Sequence, residues 1–430
     1  VLDEQRAAGG QIYRNIEAIS KPVAQLLGPD YQHGSSVAAR FARCDAEHRR
    51  GAMVWDVAPD LTVSYLAEGV SRQVRGRQLI LATGAIERAS PLPGWTLPGV
   101  LNAGAAQIAL KSAASIPSGR IVLMGTGPLL LLVACQLLDA GGKIAAVVDT
   151  SPASNRWRAL RHAAGALSAP SYLKKGLQMM RRLRAAGVPR FNAATELSIE
   201  GRDKVQAVAF KADGRSHRID AETVLLHHGV VPNTQVSRLL RLEHRWSDDQ
   251  LAWVPEADAW GATSMPGVRI AGDGAGIAGA RAAEASGSLA ALGAARTLNR
   301  IDDATLHMLA APWQAEQRRH LRIRPFLEAL FQPPNWLAGP SDDTIVCRCE
   351  EVSAGKIREM ARLGCQGPNQ TKFFSRCGMG PCQGRMCGLT VTQILAAELG
   401  RDPAEVGAYH IRAPLKPVPL GSLAALSDQL

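Results

Sequence analysis

Arg120-Ile-Val-Leu-Met-Gly-Thr-Gly-Pro-Leu-Leu130 is the stretch that decides the fold. Arg120 to Met124 is a short, continuous apolar run of the kind a buried strand needs. Gly125-Thr126-Gly127 makes a tight turn, and Pro128, suited to the first position of a helix, opens one that runs to Leu138. A second strand, Lys143 to Val148, ends in Asp149. Strand, glycine turn, helix and strand make a βαβ unit, in which Gly125 and Gly127 let the backbone approach a pyrophosphate. Leu130 stands where a dinucleotide fingerprint has Gly or Ala, so two outcomes stay open. Either Asp149, about 20 residues on, holds the ribose of NAD, or the pocket is vestigial or takes another nucleotide such as ATP.

Working outward, Leu61-Thr-Val-Ser-Tyr65 and Gln78-Leu-Ile-Leu81 read as strands of a meander closed by Ala82-Thr83-Gly84-Ala85. At the start, Val1-Leu-Asp-Glu4 reads as the tail of a buried strand ending in an acid, with Gly9-Gly10-Gln11 following. Downstream, Ser151 to Arg190 forms helices and connections, and strands near Val205–Phe210 and Thr223–Leu226 complete the second unit. Gly267-Val-Arg-Ile-Ala-Gly-Asp273-Gly274 is a strand running into a turn, and the Ala- and Leu-rich stretch from Ala280 to Leu298 is helical. The chain has then returned to its first unit. The expected domains are 1–100 with 255–310, 101–254, a proline-punctuated connector at 311–342, and 343–430. A βαβ unit containing Glu4 also needs a strand and a glycine-rich loop ahead of it, so about 30 further N-terminal residues are expected in the full-length protein.

A chain of 430 residues with 46% hydrophobic content builds two or three packed domains and is not disordered. The most apolar stretch, Leu129 to Leu138, is far short of the roughly 20 residues of a membrane span. The first residues have neither the basic start nor the apolar core of a secretory signal, which points to the cytoplasm. The net charge is +11, but Lys and Arg are scattered singly and without interleaved aromatics, so nucleic acid is not expected. The charge fits solubility, an anionic cofactor or an acidic partner subunit.

Six of the eight cysteines, Cys347, Cys349, Cys365, Cys377, Cys382 and Cys387, fall close together. In a large cytosolic protein that clustering points to metal rather than disulfides. Cys347-Arg-Cys349 and, after 27 intervening residues, Cys377-Gly-Met-Gly-Pro-Cys382 are two thiolate pairs, the four ligands of a [2Fe-2S] cluster. Gly378, Gly380 and Gly384 let the backbone fold tightly around it. Helices at Ser353–Leu363 and Val391–Leu399 bracket the loops. A structural zinc site is the alternative, and Cys365 and Cys387 read as buried or spare thiols.

Cys347 to Leu395 resembles the bacterioferritin-associated-ferredoxin-like [2Fe-2S] domain. Nearly the whole chain resembles the α subunits of heteromeric opine, hydroxyproline or sarcosine-type amine dehydrogenases, including the hydrogen cyanide synthase subunit. The resemblance rests on Gly9-Gly-Gln-Ile-Tyr-Arg-Asn-Ile16, Ala82-Thr-Gly-Ala-Ile-Glu-Arg88, Leu92-Pro-Gly-Trp-Thr-Leu-Pro-Gly99 and Cys377-Gly-Met-Gly-Pro-Cys-Gln-Gly384. It implies an α/β fold with two Rossmann-like dinucleotide-binding domains, of the disulfide-reductase-like flavoprotein type, and a small α-rich [2Fe-2S] domain. It implies FAD held by Glu4 on the adenosine ribose, by Gly9, Gly10 and Gln11, by Ala82, Thr83 and Gly84, and by Gly272 with Asp273 at the ribityl chain or pyrophosphate. It also allows FMN at a subunit interface.

Neither Cys44 nor Cys135 has a redox partner cysteine nearby in sequence, which excludes a disulfide reductase. His227 and His228 point to opposite faces of one strand and read as structural. With no nucleophile–base pair in view, substrate chemistry is assigned to another chain. The expected function is electron relay in an FAD-dependent amine or opine dehydrogenase. Its expected partners are a β subunit, FAD-containing and amino-acid-oxidase-like, plus a small γ [2Fe-2S] subunit. Peripheral association at the inner membrane face, for quinone reduction, is also expected. The rival readings are a stand-alone NAD(P)H-dependent ferredoxin-type reductase and a zinc-bound scaffold.

Overall fold

The computed structural model describes residues 1–426. Its centre is the sheet that the opening motif predicts: five strands in the order Arg190–Phe191, Lys143–Asp149, Arg120–Thr126, Thr223–His228, Val100–Asn102, all pairing parallel. Ile121, Val122, Leu123 and Met124 are fully buried because both faces of the sheet are covered. Ile121 and Leu123 pack under Ala103–Ala113 and Pro128–Asp139. Val122 and Met124 face a three-stranded antiparallel sheet (Thr195–Glu200, Ala207–Ala212, Arg215–Asp220) through Val208 and Phe210. Each such side chain contributes about 1.5–3 kcal/mol by leaving water. A one-residue slip would exchange the two faces.

The flanking unit is built from pieces far apart in sequence. Leu79–Leu81 pairs parallel with Val268–Ile270, Leu79 opposite Val268, so the chain does return to this unit after the central sheet. Leu2–Asp3 pairs parallel with Arg49–Arg50, and Leu2 packs with Leu79, Leu81, Val268 and Ile270. An antiparallel meander, Met53–Val57, Thr62–Ala67 and Val70–Arg75, lies beyond them. Two strands, Ala85–Glu87 and Val230–Pro232, pair antiparallel where the chain crosses between units.

The connector departs from expectation. A single helix, Asp303–Leu321, runs straight through Pro312 and packs along Ala280–Thr297, so a boundary at 310/311 would cut it. Proline frees the carbonyl four residues earlier, here on Met308, whose side chain is 67% exposed, where water can satisfy that carbonyl. The cysteine-rich region then forms a short hairpin, Ile345–Cys347 with Val352–Ser353, followed by the helices Ala354–Arg362, Pro368–Ser375 and Gly388–Leu399. Val346, Ile357, Ala361, Val391, Ile394 and Leu395 make its core. Among the described residues no helix is long and apolar enough to cross a membrane.

Candidate functional sites

The first mouth lies at the ends of Leu79–Leu81 and Val268–Ile270. A methyl group added to Gly274 would lie 3.2 Å from Thr83 Oγ1 and 3.4 Å from Gly84 O, so the turn at 82–84 abuts the turn at 272–274. Thr83 Oγ1 donates to Asn233 O at 3.0 Å. Asp273 is half-buried, and its Oδ1 accepts from the N–H groups of Ala278 and Gly279, both at 2.9 Å, fixing the loop that opens helix Ala280–Thr297. Gly9 has φ +119°, and a methyl there would meet Tyr13 O at 2.3 Å. Lys111, buried, donates to Gln11 O at 3.2 Å, Ile12 O at 2.9 Å and Gln107 Oε1 at 2.9 Å. Burial, with Arg14 nearby, lowers its pKa to about 8. Lys111 lies on a helix 100 residues from the loop it anchors, and no local pattern announces it. Glu4 is exposed and ion-paired with Lys416 from the C-terminal tail.

The second mouth is at Gly125-Thr126-Gly127. Gly125 (φ +142°) is obligatory, since a methyl there would lie 1.8 Å from His227 O. Leu130, the departure from the fingerprint, is buried among Ile121, Leu123, Val133 and Leu225, so a larger side chain still packs. Below the turn, His227 Nδ1 and Glu87 Oε1 are 2.6 Å apart, and Glu87 accepts from Gly104 N–H. His228, on the opposite face, bonds Ser90 Oγ at 2.7 Å, and burial pulls its pKa to about 3, with His227 and Arg88 adding to the effect. Asp149 is ion-paired with Arg190 at 2.7 Å. Across the mouth lies the connector. Thr126 Oγ1 donates to Phe331 O at 3.5 Å, and Asn155 Nδ2 donates to Leu330 O at 3.3 Å and Gln332 O at 3.0 Å.

The third site is a bay of thiols. The Sγ atoms of Cys347, Cys377 and Cys387 lie within 4.8 Å of one another, and Gly378 N–H donates to Cys347 Sγ at 3.5 Å. Hydrogen bonds with Cys377 and then Cys387 hold the Cys347 thiol far below its usual range; the contact with Cys347 pushes Cys377 up to about 12. Cys349 is exposed and sits against Cys382. A backbone N–H of Cys382 favours its thiolate, but desolvation and the Cys382 thiol outweigh that and raise it. A methyl at Gly380 would lie 2.2 Å from Cys349 Cβ, which is why this loop needs glycine. Cys365 and Cys387, read as buried or spare thiols, are both buried, Cys365 outside the bay and Cys387 inside it, beside Cys347 and Cys377. Cys387 caps helix Gly388–Leu399, whose first turn is pinned by Tyr409 packed on Gly384 and Gly388. The Tyr409 hydroxyl donates to Cys377 O at 2.8 Å. The spacing Cys382-x₄-Cys387 repeats that of Cys377 and Cys382 and was the available signal; Tyr409 had none.

Between the thiol bay and the crossing strands lies a cleft of about 580 Å³, measured out to its open mouth and lined by Ile86, Arg238, Trp253, Arg385, Tyr409 and Ile411 among others. Arg238 stacks over Trp253 at 5.0 Å, and burial lowers its pKa to about 10, so it stays cationic. Among the described residues no hydrogen-bond partner reaches Arg238 Nη2, Trp253 Nε1 or Gln235 Oε1. Arg385 donates to Cys382 O at 3.1 Å, linking cleft to bay.

Two Rossmann-like units, two glycine turns and a thiol bay define a flavoprotein-type α/β oxidoreductase. Residues 47–287 match the pyridine nucleotide-disulphide oxidoreductase model and 342–427 the sarcosine oxidase A3 domain. The chain is 44% identical to the opine oxidase A subunit of Agrobacterium tumefaciens, covering 99% of this chain and 86% of that protein. It is 32% identical to hydrogen cyanide synthase subunit HcnB of Pseudomonas aeruginosa, covering 100% and 94%. The crystal structure of L-proline dehydrogenase from P. horikoshii superposes with a TM-score of 0.68 at 16% identity, over 98% of this chain and 73% of that one, and shares the fold. The chain belongs to the pyridine nucleotide-disulphide oxidoreductase family, in the group that contains opine oxidase A subunits.

Proposed function

We propose that this chain is the electron-relay subunit of a heteromeric FAD-dependent dehydrogenase acting on an opine, a hydroxyproline isomer or a related secondary amine, with substrate oxidised at the flavin of an amino-acid-oxidase-like β subunit. The observation that carries the reading is the bay of five thiols beside a cleft where Arg238 Nη2, Trp253 Nε1 and Gln235 Oε1 find no partner among the described residues. FAD would take the first mouth, where the turns at 82–84 and 272–274 meet, with Gly9, Gly10 and Gln11 held nearby by Lys111. A [2Fe-2S] cluster would be held by Cys347, Cys349 and Cys382 with Cys377, Cys387 standing as the alternative to Cys377. FMN suits the cleft: Arg238 and Trp253 offer donors to an anionic or carbonyl group, and Ile86 and Ile411 offer apolar walls. Flavin accepts electrons in pairs and an iron–sulfur cluster passes them singly, which is why the two belong in one relay. The residues of this chain would orient those groups. The connector across the second mouth weighs against the stand-alone NAD(P)H-dependent reductase.

Absorption and paramagnetic spectra of the purified chain test the reading together with dye-linked amine oxidation. Flavin and a reducible cluster are expected, with Cys382→Ser bleaching the cluster and Cys365→Ser leaving it intact. The chain alone should be inert toward opines and hydroxyproline until the β subunit is added. Turnover by the pure chain at the rate of the complex, or a colourless zinc protein, overturns the proposal.

A further inference from the structure

No residue of Leu92-Pro-Gly-Trp-Thr-Leu-Pro-Gly99 lines the cleft, yet the indole of Trp95 reaches the hairpin that carries the first two thiols of the bay. The loop that presents it is rigid. Ile199 N–H donates to Pro93 O at 2.9 Å and Trp95 N–H to Leu92 O at 3.0 Å. A methyl at Gly94, which has φ +83°, would lie 1.9 Å from Ile199 O. Trp95 is buried in the core of the central unit. Its Nε1 donates to Ile345 O at 2.6 Å, and the Arg348 guanidinium lies 5.3 Å from the ring centre, within reach of a cation–π contact. Arg348 is the residue between Cys347 and Cys349, in the turn of the hairpin. It has no hydrogen bond or ion pair among the described residues, so the indole alone holds it. In the same turn Glu350 is neutralised by Arg376 at 2.8 Å, and Glu351 is exposed with no partner among the described residues.

We propose that the Arg348 cation raises the reduction potential of the cluster held in the bay, and that Trp95 is the positioning residue that keeps it there. The inference rests on the relay reading, since it needs a cluster. A tether between the cysteine module and the central unit needs no cation, because the Nε1–carbonyl bond and the buried indole supply one. A guanidinium without a carboxylate, set between two thiol ligands, does what a neutral side chain cannot. Reduction brings one electron to the cluster and makes or breaks no bond, so the site gains one negative charge. A cation close by favours that state. Holding it matters as much as placing it: a charge that swings in water is screened, whereas one stacked on a rigid indole keeps its distance. Glu351 has no such holder, so its opposing effect is the weaker.

Redox potentiometry of the purified full chain, followed through the paramagnetic signal of the reduced cluster, tests it. Arg348→Gln should cut the reduced-to-oxidised ratio at a fixed potential by about three- to tenfold, the size of one charge at short range beside solvent. The shape of the signal should not change, because no ligand is replaced. Arg348→Lys should keep most of the wild-type value. Trp95→Leu should shift the ratio in the same direction as Arg348→Gln, and should add little once Arg348 is gone. Arg362→Gln, which removes a cation paired with Glu398, should have no effect. The Arg348 variants alter only an exposed side chain, so they decide the matter even where loss of the indole unfolds the loop. A lysine variant that falls as far as the glutamine one overturns the proposal, as does a Trp95 effect undiminished without Arg348, or a control that matches Arg348→Gln. A normal cluster signal with an unmoved midpoint in Arg348→Gln overturns this proposal alone, whereas a wild-type chain with no reducible cluster overturns the relay reading and this one together.

Discussion

The two glycine turns of this chain, at 82–84 and 125–127, both end parallel strands, yet they meet opposite surroundings. The second belongs to a complete five-stranded sheet, and its mouth is crossed by the chain's own carbonyls at 330–332. The first ends strands that pair only two by two, Leu2–Asp3 with Arg49–Arg50 and Leu79–Leu81 with Val268–Ile270, but it faces another glycine-bearing turn at 272–274 and the anchored loop at 9–12. Regularity of the sheet and openness of the site are separate properties. A strand register is fixed by burial of its two faces; a mouth is fixed by whatever segment later crosses it.

The largest expected contrast comes from backbone space. Gly125→Ala places a methyl 1.8 Å from His227 O and should cost about 3 kcal/mol or more. Gly84→Ala, with φ +64° and nothing within 4 Å, should cost only about 1 kcal/mol. Urea unfolding midpoints measure both, and equal losses would erase the contrast between the mouths.

Next in size is an acid effect from the strand under the second turn. His228 titrates near 6.5 when unfolded and near 3 in the fold, so its contribution is full above pH 6.5 and is lost as pH falls toward 3. Between pH 7 and pH 5 that is about 2 kcal/mol. Unfolding free energies at the two pH values should differ by that much in the wild type and by less in His228→Gln. The smallest effect sits at the connector. Asn155→Ala removes two hydrogen bonds to Leu330 O and Gln332 O, should cost about 1–2 kcal/mol, and should make NAD or ATP binding measurable by calorimetry if the connector is what closes the mouth. No gain in binding would mean that the pocket is closed from beneath.

Much of this was legible because it is local. The apolar run at Arg120 to Met124, its glycine turn and the helix from Pro128 appear within a residue or two of their predicted limits, since each is set by near neighbours. The return of the chain at Val268 was legible from its glycine-flanked apolar strand. What escaped is long-range. Lys111 anchors a loop 100 residues away, Tyr409 pins the cysteine loop from beyond the last helix of the bay, and Cys387 enters the bay at a helix start that Tyr409 packs against. The connector's position over Thr126 rests on backbone carbonyls, which carry no residue identity at all.

That last contact also has a mechanical side. Gln332 precedes Cys347 by 15 residues (347 − 332), and the far end of the intervening strap is bolted to the central unit where Trp95 Nε1 donates to Ile345 O at 2.6 Å with Arg348 stacked over the indole. The strap is thus fastened at both ends, one fastening at the second glycine turn and the other two residues short of the first thiol of the bay. A molecule that prised the first fastening open would next meet Trp336, packed on the central core and edge-on to His228, and buried Leu337, so the strap between 333 and 344 is held along its length and a disturbance at one end is absorbed before it reaches the other.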